Sequence, residues 1–202
     1  SDPLRKIKRF LKHINRVCGE LYRVGKYLVV DEAMIACKSR YCRFVQYMPK
    51  KPIKHGVKVF VCCCAFTGYV LSFDIFTGES GESSPVPVIQ RLFEDLDLTS
   101  SGHGRVLFTD NYYTSEALAT HCWLSYTMFI VGTHRLTKKV SRVATDFPFA
   151  KLSEPALKRL RRGWMRRAVR KVASVPRAAM TLQAIIWRDR KQVRLLSNYM
   201  IG

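Results

Sequence analysis

Residues 27–36, with the sequence YLVVDEAMIA, form an apolar run that is interrupted by the acidic pair Asp31 and Glu32. The run is typical of a strand, and a carboxylate inside a buried strand is costly unless it is paired or bound to a cation. A second aspartate, Asp110, follows the short apolar run at residues 106–108 after one threonine. Two aspartates at one edge of a sheet would be the hard oxygen ligands that Mg²⁺ prefers. The alternative is that each aspartate only caps the turn after its strand.

The segments around these aspartates alternate between strand and helix patterns. Residues 58–66 and 69–76 predict a hairpin, and residues 128–131 predict a fifth strand. Helices are predicted over three segments, namely the basic amphipathic residues 4–21, the residues after Pro85, and residues 117–124 behind Ser115. Three strands followed by helix, strand, helix and strand indicate an α/β fold with a mixed sheet flanked by helices.

The charge of the chain is strongly unbalanced. Its 202 residues include 35 Lys and Arg against 15 Asp and Glu, a net charge of +20 at pH 7. This excess favours a polyanionic partner, with nucleic acid as the first candidate and an anionic membrane surface as the second. Residues 151–202 hold 14 of the basic residues and 2 of the acidic ones. Within them, residues 158–177 predict a basic, mostly helical segment, and residues 181–187 and 193–197 predict a terminal hairpin.

Other classes of protein are disfavoured by the pattern of residues. No apolar run approaches the roughly 18 to 20 residues of a membrane span, and the first residues lack a signal-peptide core, so we expect a soluble, intracellular protein. We expect DNA, and not a membrane, as its partner. The seven cysteines, three of them adjacent at positions 62–64, do not resemble a disulfide framework. Cys37 and Cys42 could begin a zinc site, but no second Cys/His pair follows at a finger-like spacing.

Several long motifs occur in the order and spacing of a known family. They are Val30-Asp31-Glu32, Lys38-x-Arg40, QYMPKKPIKHGVK at residues 46–58, Thr67-Gly68-Tyr69, DNYYTS at residues 110–115 and VGTHR at residues 131–135. The sequence resembles piggyBac-type transposases closely over residues 4–135 and again over residues 187–197. This resemblance implies that the mixed sheet is a ribonuclease H-like catalytic core.

The resemblance also implies a magnesium-dependent DNA strand-transfer site with three aspartates. Asp31 matches the first catalytic aspartate and Asp110 matches the second. The third normally lies in a Gly-Gly-Val-Asp-like motif past the strand that corresponds to residues 192–197; these 202 residues do not include that motif, and neither Asp146 nor Asp189 matches it. We therefore expect Mg²⁺ to be weakly bound or absent and the fragment to be inactive. The alternative is a domesticated, non-catalytic DNA- or RNA-binding module.

Basic side chains near these motifs are candidate DNA contacts. They are Lys50, Lys51, Lys54, Lys58, Arg135, Arg161 and Arg162. For the lysines the alternative is a solvated loop and strand edge. For the arginines the alternatives are a disordered basic tract and a nuclear import signal around residues 158–162. DNA is the expected partner and the nucleus the expected location, while the choice between a monomer and a homodimer stays open.

The predicted organisation along the chain has three parts. Residues 1–26 form a basic amphipathic helix that leads into the core, residues 27–135 form the ribonuclease H-like core, and residues 136–202 form a basic, insertion-like segment with the terminal hairpin.

Overall fold

The computed structural model describes residues 2–78, 83–96, 98, 104–134, 156, 158–172 and 180–199. The chain divides into two compact units, Ser1–Gly102 and His103–Gly202. Each unit is described by itself. In the described ranges, no helix is both long enough and apolar enough to cross a membrane.

The first unit is an antiparallel sheet with two helices. Its elements are α1 (Lys8–Leu21), β1 (Tyr27–Ala36), β2 (Val45–Tyr47), β3 (His55–Cys64), β4 (Val70–Ile75) and α2 (Pro85–Phe93). Strand β3 pairs with β1 along its whole length, from Leu28 opposite Cys64 to Ala36 opposite Gly56. It also pairs with β2 and β4, so β3 organises the sheet.

The core of this unit follows from residues that alternate along each strand. Leu28 and Val30 of β1 are buried, as are Phe60 and Cys62 of β3. Helix α2 packs on β3 and β4 and buries one face of apolar residues, namely Val88, Ile89, Leu92 and Phe93. A proline at the first position starts α2 without the loss of an intrahelical hydrogen bond, because the first N–H groups of a helix have no partner in it.

Helix α1 lies against β4 without any fully buried residue, and an asparagine side chain links the two elements. The Asn15 side chain donates to the Phe73 carbonyl at 2.8 Å and accepts from the Phe73 N–H at 3.0 Å. The helix predicted over residues 4–21 begins later than expected, at Lys8, and residues 4–7 form turns.

The second unit contains a mixed sheet and helix α3, whose bounds follow. Its elements are β5 (Val106–Thr109), α3 (Glu116–Tyr126), β6 (Phe129–Thr133), β7 (Met165–Lys171), β8 (Thr181–Arg188) and β9 (Gln192–Ser197). Strands β5 and β6 are parallel and are connected through α3, whereas β6–β9, β9–β8 and β8–β7 are antiparallel pairs. The Ser115 hydroxyl accepts from the Leu118 N–H at 3.1 Å, which confirms the predicted start of α3.

The predicted α/β class, a mixed sheet flanked by helices, is confirmed. One part of the prediction is wrong: residues 165–171, which belong to the segment expected to be mostly helical, form strand β7. They pair with β8 from Met165 opposite Trp187 to Lys171 opposite Thr181, and this long-range pairing overrides the local helix propensity. The division at residues 26 and 135 stays a prediction.

Candidate metal and DNA-binding site

Asp31 lies in the middle of β1 with an exposed side chain. The sequence predicted a carboxylate inside a buried strand, and for Asp31 this is wrong because its side chain lies on the same face of β1 as the exposed Ala33 and Ile35. Its Oδ1 atom accepts a hydrogen bond of 2.8 Å from the N–H of Glu32. The second oxygen, Oδ2, has no hydrogen-bond partner among the described residues.

Of the two adjacent carboxylates, Asp31 and Glu32, the one with a largely buried side chain is Glu32. Its side chain is 11% exposed, and its Oε1 lies 3.2 Å from Lys58 Nζ. Lys51 Nζ lies 4.0 Å from the other carboxylate oxygen and donates a 3.0 Å hydrogen bond to the Glu32 carbonyl. Lys58 Nζ also lies 4.6 Å from the centre of the Phe60 ring. We refer to Glu32, Lys51 and Lys58 as the Glu32 cluster.

The four lysines proposed as DNA contacts therefore differ in their surroundings. Lys51 and Lys58 have side chains that are 31% and 12% exposed, and both ammonium groups lie against Glu32. Lys50 and Lys54 are exposed in the loop between β2 and β3. That loop is closed by a 2.8 Å hydrogen bond from the Met48 N–H to the Lys54 carbonyl. Of the four, only Lys50 and Lys54 combine an exposed side chain with an ammonium group outside the Glu32 cluster.

Asp110 follows β5 and begins a tight turn. Its Oδ1 accepts hydrogen bonds from the N–H groups of Tyr112 at 2.8 Å and Tyr113 at 3.4 Å, and its carbonyl accepts from the Thr114 hydroxyl at 2.6 Å. The turn-capping role that the sequence left open is therefore realised. It occupies one carboxylate oxygen, while Oδ2 has, within the described part of the chain, only a long contact of 3.5 Å with the Asn111 amide.

The turn at Asp110 packs closely on strand β6. The Thr109 and Thr114 hydroxyl oxygens lie 2.9 Å apart, and a Cβ atom at position 132 would overlap both. Gly132 is thus required by close approach of the turn to the strand. The sequence contained this signal, a glycine inside an apolar strand, but did not show which residues approach it.

The two aspartates share one arrangement: one backbone N–H in Asp31 and two in Asp110 bond to Oδ1, and among the described residues Oδ2 has no short hydrogen bond. Carboxylate oxygens oriented in this way are suitable ligands for Mg²⁺. Asp31 belongs to the first unit and Asp110 to the second, so a metal ion shared by both stays a prediction. Within the described ranges, no group of three or more His, Cys, Asp or Glu side chains could hold a metal ion.

The remaining acidic and basic candidates have other environments. Asp189 forms an ion pair of 2.7 Å with Arg162, and the Arg162 hydrogen bond holds the pKa of the Asp189 carboxyl below its ordinary value. Arg161 is exposed in the turn before β7. Arg135 and Asp146 lie outside the described residues.

Comparisons with known proteins agree with this fold. The family model described as transposase IS4 matches residues 1–200. The chain is also similar to the piggyBac transposase in a cryo-EM structure of a synaptic complex with hairpin DNA, with a TM-score of 0.72 and 23% sequence identity over 100% of this chain and 39% of that one. The chain thus spans about two fifths of the length of that transposase. The fold implied by the resemblance to piggyBac-type transposases is confirmed.

Proposed function

The chain belongs to the transposase IS4 family, and from this premise we propose that it binds DNA and that Asp31 and Asp110 are two ligands of a divalent metal ion in a DNA strand-transfer site. The observation that carries the proposal is the shared arrangement of the two carboxylates. One backbone N–H bonds to the Asp31 carboxylate and two bond to that of Asp110, so each carboxylate is oriented before any ligand binds. A bound Mg²⁺ would supply activation of water and stabilisation of the leaving oxygen in phosphodiester chemistry.

DNA is supported as the partner by charge. The net charge of +20 favours contacts with phosphate groups, and Lys50, Lys54 and Arg161 offer exposed basic side chains. The similar piggyBac transposase was determined in complex with hairpin DNA. Because phosphate contacts are independent of sequence, we propose binding with little sequence preference and a steep dependence on salt. We also propose a nuclear location and a possible homodimer, as expected from the sequence.

We further propose that the 202-residue chain by itself binds DNA without cleaving it. Two carboxylates bind one hard cation weakly, whereas a two-metal site clamps both the attacking and the leaving oxygen. Within the described part of the chain, no cluster of three metal-binding side chains supplies the additional ligand. A misplacement of about 1 Å can cost roughly a hundredfold in rate, so turnover is expected to fall below detection.

Binding of DNA is tested by fluorescence anisotropy with a labelled duplex over a range of salt concentrations. We expect affinity to fall steeply as salt increases, and binding that is absent at low salt or insensitive to salt would contradict the proposal. Cleavage is tested with supercoiled DNA and Mg²⁺ or Mn²⁺. Metal-dependent nicking that both Asp31→Ala and Asp110→Ala abolish would show that the chain is an active enzyme.

The metal-ligand role is tested by Mn²⁺ binding, followed through the electron paramagnetic resonance signal of free Mn²⁺. Asp31→Asn and Asp110→Asn should each weaken binding. The matched control is Asp189→Asn, which removes an aspartate that is ion-paired with Arg162. If all three variants bind Mn²⁺ as the wild-type chain does, the metal site is not at Asp31 and Asp110.

A further inference from the structure

Glu32 is bound through all three of its polar groups. Its N–H donates to Asp31 Oδ1 at 2.8 Å, and its carbonyl accepts from Lys51 Nζ at 3.0 Å. Its carboxylate lies 3.2 Å from Lys58 Nζ. The bond from the Glu32 N–H orients the Asp31 carboxylate, which we propose as a metal ligand. The two contacts with the lysines hold Glu32 in place.

The surroundings of the Glu32 cluster strengthen these contacts. The Glu32 and Lys58 side chains are 11% and 12% exposed, and the Lys58 ammonium also lies over the Phe60 and Phe76 rings at 4.6 and 5.5 Å. A charge pair with little contact to water is screened weakly, and loss of one partner leaves the other charge without compensation. Glu32 is therefore held more rigidly than an exposed glutamate in a strand.

We infer that Glu32, fixed by Lys51 and Lys58, is a positioning residue that orients the Asp31 carboxylate toward a divalent metal ion; this inference rests on the function proposed above. Asp31 lies on an exposed face of the sheet, where side-chain packing does little to select its orientation. The hydrogen bond from the Glu32 N–H selects that orientation instead. The two lysines act on Asp31 through Glu32 and do not contact the metal ion.

This positioning role predicts a change in cation affinity that is opposite in sign to the change expected from charge alone. Removal of a lysine ammonium near Asp31 lowers the positive potential at the metal, which by itself would strengthen cation binding. If Lys58 and Lys51 position Asp31 through Glu32, their removal instead weakens cation binding. Groups that orient metal ligands typically contribute about 10- to 100-fold to metal affinity.

The experiment compares Lys58→Met, Lys51→Met and Lys58→Arg with the wild-type chain of 202 residues. The control is Lys54→Met, which removes the same charge from an exposed side chain in the loop that also carries Lys51. Two quantities are measured: Mn²⁺ affinity, and the exchange rate of the Glu32 amide hydrogen by NMR. The Lys51 side chain is more exposed than that of Lys58, so Lys51→Met keeps the test decisive if Lys58→Met does not fold.

We expect Lys58→Met and Lys51→Met to bind Mn²⁺ at least about threefold more weakly and to exchange the Glu32 amide at least about tenfold faster, with Lys58→Arg close to wild type. Unchanged amide exchange, or tighter Mn²⁺ binding in both methionine variants, would overturn the inference. Mn²⁺ binding that Asp31→Asn leaves unaffected would overturn the proposed metal site instead. In that case the exchange rates still decide whether the cluster fixes the Asp31–Glu32 peptide.

Discussion

Gly132 lies so close to Thr114 that a Cβ atom at position 132 would overlap the Thr114 hydroxyl oxygen. That hydroxyl donates to the carbonyl of Asp110 at 2.6 Å. A strand residue without a side chain thus allows the turn that carries Asp110 to close against the sheet. The packing of β6 and the orientation of a proposed metal ligand are consequently linked through one hydrogen bond.

Gly132→Ala is expected to lower the free energy of unfolding by about 1–3 kcal/mol, because an added methyl group must displace backbone or hydroxyl groups in a packed interior. The amide resonances of Tyr112 and Tyr113 should shift, since both N–H groups bond to Asp110 Oδ1. Urea unfolding and NMR measure these effects. Gly25→Ala is the control, because a Cβ atom there meets no atom within 4 Å. Equal loss of stability in both variants would contradict the prediction.

Asn15→Leu is expected to destabilise the chain by about 1–3 kcal/mol, since it leaves the N–H and carbonyl of Phe73 without the partners that Asn15 supplies. Urea unfolding followed by circular dichroism measures this. Phe10→Ala alters a side chain of the same helix that is 63% exposed, and it should have little effect. If Asn15→Leu is as stable as the wild-type chain, the two hydrogen bonds do not hold α1 to β4.

The pattern of apolar residues predicted strands with a marked apolar pattern, such as β1 and β3. In such strands the apolar residues either alternate with polar ones or form a nearly continuous run. Strand β7 was missed because Met165–Lys171 contains four basic residues, and its partner β8 is separated from it in sequence. Long-range pairing of this kind leaves little local signal.

The candidate site shows the same limit. The positions of Asp31 and Asp110 at strands were predicted, but burial was assigned to Asp31 instead of Glu32. The alternation itself favours Glu32, because Leu28 and Val30 are buried and Glu32 is the next residue on that face. The contact between Lys51 and Glu32 spans 19 residues and depends on the closed loop before β3, so no sequence spacing could predict it.

His134 should make stability depend on pH. Burial, together with the Arg194 guanidinium, lowers the pKa of His134 to about 4. An unfolded histidine has a pKa of about 6.5, so between these values the unfolded chain binds a proton that the folded chain does not. The free energy of unfolding should therefore decrease as pH falls through this window.

Replacement of His134 by glutamine separates the pH dependence of stability due to His134 from that due to the carboxylates. Urea unfolding at about pH 7 and about pH 5 should show a smaller loss of stability for His134→Gln than for the wild-type chain. His13→Gln, at an exposed position of α1, serves as the control. A wild-type pH dependence in His134→Gln would contradict the assignment.

Cys64 should become less acidic in Tyr22→Phe. Hydrogen bonds from the Thr67 side chain and from the Tyr22 hydroxyl, with the backbone N–H groups of Thr67 and Phe66, lower the pKa of Cys64 to about 7. The Tyr22 hydroxyl lies 3.3 Å from Sγ, and its loss should raise the pKa because donors stabilise the thiolate. The ultraviolet absorbance of the thiolate against pH, after subtraction of a Cys64→Ser variant, measures the shift.

The control for this titration is Tyr69→Phe. The Tyr69 ring stacks on Tyr22 with centroids 4.5 Å apart, but its hydroxyl donates to the Cys18 carbonyl instead of Cys64. The pKa of Cys64 should stay near that of the wild-type chain. An equal shift in both variants would indicate a general disturbance of the aromatic pair.

The salt dependence of DNA binding should distinguish the exposed lysines from those of the Glu32 cluster. Removing one lysine–phosphate interaction reduces the slope of log affinity against log salt by about 0.9, because one fewer condensed counterion is released. Lys50→Ala and Lys54→Ala should each reduce the slope by up to this amount, as both side chains are exposed. Lys58→Met removes the same charge, but the Lys58 ammonium lies 3.2 Å from Glu32 and the side chain is only 12% exposed, so the slope should hardly change. Fluorescence anisotropy with one duplex at several salt concentrations measures all three, and a thermal melt confirms that each variant is folded. A slope reduced by Lys58→Met and left intact by Lys50→Ala and Lys54→Ala would place the DNA on the Glu32 cluster instead of the exposed loop.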